Sequence, residues 1–172
     1  MAMTDVLSGT CKAEIDIRLA RTGGEGHTGV DSLSEGSTLA LTDGSSSNQA
    51  TGFFSAQFTA TTDGITIGLG DVSDPLGAAG DDAPTEDPDG KDLRAILIEN
   101  LDDTNYITVS TGTNALAGWL VATDEIVIRA GGVLFQTFPV DGVTIDETGS
   151  ADEIKITANT ASCAVQLTYV FG

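Results

Sequence analysis

The feature that most constrains this chain is a series of short β-branched and aromatic runs, each cut off by turn-forming residues, through its C-terminal half. Leu93-Arg94-Ala95-Ile96-Leu97-Ile98-Glu99-Asn100 leads into Leu101-Asp102-Asp103-Thr104-Asn105 and then into Tyr106-Ile107-Thr108-Val109-Ser110. Residues 133–139, 154–159 and 163–171 repeat the arrangement. Val, Ile, Phe, Tyr and Thr suit a pleated, half-buried surface, while Asp, Asn, Gly and Pro break it. Runs this short, without a 3.6-residue apolar period, give many antiparallel strands and no long helix. The expectation is an all-β fold, an antiparallel β-sandwich of jelly-roll-like kind with long acidic loops.

The N-terminal half carries fewer such runs. Ala13-Glu14-Ile15-Asp16-Ile17-Arg18-Leu19-Ala20 alternates apolar and polar residues, which marks a strand with one wet face. Residues 21–35 are rich in Gly and Ser around His27 and read as a long loop. A short strand over 37–42 precedes a turn or loop over 43–52. Residues 53–60 form the next strand, and Asp63-Gly64 signals a tight hairpin completed by residues 65–69. Residues 70–92 hold three of the four prolines and eight carboxylates, with too few apolar residues to fold alone. At 172 residues the chain is expected to be one sandwich domain, 1–172, with an extended N-terminal arm over 1–12 and an acidic loop over 70–92. Aromatic residues make up only 5%, so Val, Ile, Leu and Ala must build the core.

Charge narrows the partners. The formal net charge is −19, and the seven basic residues, Lys12, Arg18, Arg21, Lys91, Arg94, Arg129 and Lys155, form no cluster along the sequence. Phosphate binding depends on Lys and Arg, so neither nucleic acid nor an anionic membrane surface is an expected partner. The start, Met1-Ala2-Met3-Thr4-Asp5, has neither the basic nor the apolar region of a secretory signal, and no run approaches the roughly 20 apolar residues of a transmembrane helix. Synthesis in a cytoplasm is expected. Cys11 and Cys163 can pair if the first and last strands are neighbours, but a free buried Cys is the commoner outcome in a reducing compartment.

Each chemical motif has a blander reading that fits better. Asp87-Pro88-Asp89-Gly90-Lys91-Asp92 begins like a calcium loop, yet Gly falls at position 4, Lys91 at position 5 and Ile98 at position 12. A solvated acidic loop is the expectation. His27, the one histidine, has Glu25 nearby but no Gly-x-Ser-x-Gly elbow and no set of metal ligands. Carboxylates within 147–153 sit near each other, as a glycosidase requires, but Trp119 is the one tryptophan available as a sugar platform. No phosphate-binding Gly pattern lies between a strand and a helix. Trp119, Tyr106 and Tyr169 can be drawn as a sugar-binding patch, though core or subunit contacts suit them better. The chain is thus expected to be no enzyme, with no catalytic, cofactor-binding or metal residues and no cofactor.

The pattern from Ile96 through Asn100-Leu101-Asp102 and Thr104-Asn105-Tyr106 to Val109 resembles one that recurs in virion structural proteins of tailed bacteriophages. Arg129-Ala130-Gly131-Gly132 through Phe138-Pro139 is similar to a later element of those proteins, and residues 157–171 resemble their closing strand. The resemblance covers roughly residues 93–172, and residues 1–92 have no counterpart in it. It implies a small β-sandwich encoded among head and tail genes, and many such proteins resemble capsid decoration proteins. On this reading the chain is a decoration or cement protein on the exterior of a phage head. It binds the major capsid protein, forms a homo-oligomer with a trimer favoured, and is made in the host bacterial cytoplasm. The alternative is a tail- or fibre-associated β-sandwich adhesin that binds glycans. The segment through Thr10 and the 70–92 loop are expected to make subunit or capsid contacts.

Overall fold

A computed structural model describes residues 9–22, 28–70, 87–121, 123–138, 140–146 and 151–172. The described residues are all-β. The strands are β1 (Gly9–Thr22), β2 (Thr28–Asp43), β3 (Gln49–Ala50), β4 (Gly52–Ala60), β5 (Ile65–Gly68), β6 (Asp92–Asn100) and β7 (Ile107–Thr111). They continue with β8 (Glu125–Ile128), β9 (Val133–Thr137), β10 (Val143–Thr144), β11 (Glu153–Ala158) and β12 (Cys163–Phe171).

Two sheets make the sandwich. One runs β10-β6-β12-β4, with β9 also paired to β6, and the other runs β5-β11-β7-β8. β9 and β10 follow one another along the same edge of β6, so the first sheet reads β9/β10, β6, β12, β4. Apart from the steps β7 to β8 and β9 to β10, successive strands from β4 to β12 pass between the two sheets, the double Greek key of a jelly roll. β12 lies between β6 and β4, and its alternation is strict: Cys163, Val165, Leu167, Tyr169 and Phe171 are buried while the residues between them are partly exposed. Against them pack Ile96 and Ile98 of β6, Ile107 and Val109 of β7, and Ile154 and Ile156 of β11. This is the core expected of two inner faces built from aliphatic side chains. Phe54, Tyr169 and Phe171 form an aromatic row within it, with ring centroids 5.4 and 5.9 Å apart.

Several expectations from sequence are corrected. Of the expected 21–35 loop, residues 21–22 and 28–35 are strand, and residues 23–27 lie outside the described chain. Register from Gly9↔Leu41 to Thr22↔Thr28 makes β1 and β2 one continuous antiparallel ribbon. The Gly and Ser content of β2 misled, because it lowers strand propensity without preventing a local hairpin partner from supplying the backbone bonds. Residues 9–12 of the expected N-terminal arm belong to this ribbon, and residues 1–8 lie outside the described chain. The 43–52 loop shrinks to a turn over 44–48, since Gln49–Ala50 pairs in parallel with Thr42 and Asp43.

Asp63-Gly64 does not close a hairpin either. Gly64 N–H donates to the Thr61 carbonyl at 3.1 Å and Gly64 has φ +83°, so the turn forms. It then delivers β5 to β11 in the opposite sheet, leaving β4 on β12. Turn chemistry reverses the chain locally, and the choice of partner strand rests with the core.

Candidate functional site

β6 carries a buried polar residue near each end, and each one organises a knot. At its start, β12 pairs Val170 with Ala95 and Phe171 with Leu93, which leaves Arg94 as the extra residue of a bulge. The bulge frees Arg94 from the alternation and lets its buried side chain reach sideways. Nη2 donates to the Asp92 carboxylate at 3.2 Å, to the Ser45 carbonyl at 3.3 Å and to the Gly172 carbonyl at 3.4 Å, while Nη1 donates to the Val140 carbonyl at 3.4 Å. Asp92 also accepts from the Thr144 hydroxyl. Gly142, at φ +62°, passes so close that a Cβ there would collide with Asp92 and crowd Arg94. Arg94 therefore ties the turn after β2, the segment between β9 and β10 and the end of β12 to one point.

At the other end of β6, Asn100 is fully buried. Its Nδ2 donates to the carbonyls of Asn105 (2.8 Å), Ile128 (3.2 Å) and Arg129 (3.2 Å), and its Oδ1 accepts from Asp102 N–H. Asp102 in turn accepts from the N–H groups of Thr104 and Asn105. Those bonds hold its carboxyl below the usual carboxylate range, the bond from Asn105 first. Asn100-Leu101-Asp102-Asp103-Thr104-Asn105 is thus the crossing from β6 to β7 in the opposite sheet. Its residues are a folding device of the sandwich.

The other singled-out residues do not converge. Among the described residues no group of three or more His, Cys, Asp or Glu is placed to hold a metal. Within the acidic run, the Asp87 carboxylate accepts from the Asp89 N–H, Gly90 N–H donates to the Ile145 carbonyl, and Asp92 belongs to the Arg94 knot. His27 and Glu25, residues 71–86 and residues 147–150 lie outside the described chain. Asp152 accepts from Gly70 N–H, and Glu153 accepts from the backbone and side-chain nitrogens of Asn114. Both acids brace loops.

The three aromatic residues form no common patch. Tyr169 is buried and donates to the Leu69 carbonyl at 2.7 Å, and burial, with the Asp152 carboxylate adding to it, pushes its phenol well above the ordinary range. Trp119 donates from Nε1 to Gln136 at 2.7 Å, and Arg129 lies 5.5 Å from the Tyr106 ring centroid. Cys163 is a free, buried thiol raised by burial first and by Asp102 second.

What remains for function is surface. The β1–β2 ribbon is roughly 45 Å long at the rise of an antiparallel strand. Its root packs on the sandwich, where Leu39, Leu41 and Ala50 form a small core with Val170. Register places positions 11, 13, 15, 17 and 19 of β1, and 33 of β2, on the same ribbon face as Leu39 and Leu41. In sequence these are Cys, Ala, Ile, Ile, Leu and Leu, and the same register sets Ser37, Glu35, Asp31 and Arg21 on that face. Sequence reasoning missed Arg94 and the β2 half of the ribbon. A basic residue inside the apolar run 93–98 was the available signal for the first.

No protein-family model matches this chain, and no curated protein matches it. Among solved structures it is similar to one described as "Bacillus endospore appendages form a novel family of disulfide-linked pili". The TM-score is 0.33 at 16% identity, over 69% of this chain and 84% of that one. A likeness of that size carries no argument about what this chain does.

Proposed function

We propose that this chain is a non-enzymatic structural protein of a tailed-phage virion, a decoration or cement protein bound to the major capsid protein on the outer surface of the head. The ribbon is the observation that supports it best. A two-stranded ribbon is at best marginally stable alone in water, and it gains stability when a neighbouring surface covers it. The phage resemblance of residues 93–172 supplies the class of neighbour. The charge of −19 favours the exterior, because contact with packaged DNA would set like charges together with few basic residues to offset them.

The test uses particles that lack the protein. Purified chain added to them is expected to bind the outside, to remain bound at moderate salt and to raise resistance to heat or osmotic shock. Incorporation only during assembly, with the chain protected from protease inside the shell, would overturn the exterior reading.

A further inference from the structure

We propose that the outer edge of β4 is a self-association site, at which two copies of this chain pair β4 with β4 about a twofold axis. β4 pairs only with β12, so among the described residues its other edge meets no strand. Edge strands that stay single are usually short, charged, kinked or interrupted by proline. The other sandwich edges follow that rule. β5 and β8 have four residues each, β8 carries Glu125, and β9 stops after five residues ahead of the turn at Gly142. β4 runs for nine residues, Gly-Phe-Phe-Ser-Ala-Gln-Phe-Thr-Ala, with neither charge nor proline.

Its burial is the second observation. Phe54 and Ala60 are buried, but Ala56 and Phe58, which project to the same face of the strand, are only partly covered although they pack against the core. Ile65 and Ile67 of β5 are likewise partly covered core residues, on the edge strand of the facing sheet. Among the described residues the sandwich is therefore open along this side.

The occupant follows from charge and pattern. Two copies each bearing −19 repel, and an uncharged edge lets their backbones meet without setting like charges opposite one another. Antiparallel pairing centred on Ala56 keeps inner face with inner face. It sets Phe54 opposite the second copy's Phe58, and Ser55 opposite its Gln57. Each Phe58 then gains the cover it lacks, and the interface is isologous, as a twofold requires. This inference rests on the virion-protein reading above, whose resemblance implies a homo-oligomer, and the β4 edge makes the unit a twofold pair in place of the trimer that resemblance favours.

Light scattering on the full chain is expected to give the mass of two chains, with association strengthening as salt screens the repulsion. Ala56→Lys sets two ammonium groups opposite each other and should weaken the dimer about a hundredfold while leaving the far-ultraviolet spectrum unchanged. If that variant misfolds, Ser55→Cys/Gln57→Cys decides: mild oxidation should yield a covalent dimer well above the wild-type background. A chain that is monomeric under all conditions would overturn both this inference and self-assembly. An oligomer that ignores Ala56→Lys and gives no cross-link would overturn the β4 edge alone and leave self-assembly standing.

Discussion

Asp102 shows how one carboxylate shapes the sandwich. It accepts the N–H groups of Thr104 and Asn105, so the turn that carries the chain between sheets forms best around the charged form. Its folded pKa is lowered, chiefly by the Asn105 bond. The stability this supplies is present above the unfolded carboxylate value and lost as pH falls through the folded one. Asp102→Ala is therefore expected to lower the urea midpoint at neutral pH, with the gap from wild type closing as acid protonates the native carboxyl. A gap independent of pH would show that the side chain acts by shape alone. The run Asp102-Asp103-Thr104-Asn105 was readable as a turn because Asp and Asn bond to backbone two or three residues on, a local property. Asn100 was not readable as the buried centre of that turn, since two of its carbonyl partners belong to Ile128 and Arg129, far along the chain. Arg94 was hidden for a similar reason. A bulge is a mismatch between two strands, and β6 alone does not reveal which of its residues β12 leaves unpaired.

Among elements, the strands of the C-terminal half were legible and their partners were not. Residues 93–100, 154–158 and 163–171 announce themselves by composition and alternation, and the structure places β6, β11 and β12 there. Partner choice follows from closing a two-sheet core, which is why Asp63-Gly64 makes a turn and no hairpin. The ribbon was half legible, as a strand over 13–20 whose Gly- and Ser-rich mate read as loop. β4 to β12 complete the jelly roll without it, and its root adds the short parallel pairing of β2 with β3, the small cluster of Leu39, Leu41 and Ala50 over Val170, and the Ser45 bond to Arg94. A chain beginning at Gly44 is thus expected to keep its far-ultraviolet β signature and one cooperative melt, with Tm lowered by no more than about 5 °C, as loss of roughly 1 kcal/mol would give. It should lose binding to particles. Collapse of the melt would instead make the ribbon part of the folding unit.

For the whole molecule, the balance of −19 is a standing cost. Twenty-six carboxylates face seven basic residues, so folding draws together charges that the unfolded chain keeps apart. Arg94 with Asp92 is a half-buried contact that offsets little of this, because it also desolvates the guanidinium. Apolar burial between the two sheets must carry the fold, and that term strengthens modestly with salt while repulsion weakens. Two opposite outcomes are therefore distinguishable. If repulsion dominates the electrostatics, raising salt from about 10 to about 150 mM shortens the Debye length from roughly 30 to 8 Å and should raise Tm by a few degrees. If stabilising ion pairs dominated, the same change would lower it. The scarcity of cations argues for the rise, and the gain should shrink above the point where the Debye length matches the spacing of neighbouring surface carboxylates. Scanning calorimetry across that salt range, at a chain concentration low enough to keep copies apart, checks the sign. A Tm that falls with added salt would mean that the few basic residues form stronger pairs than the net charge implies.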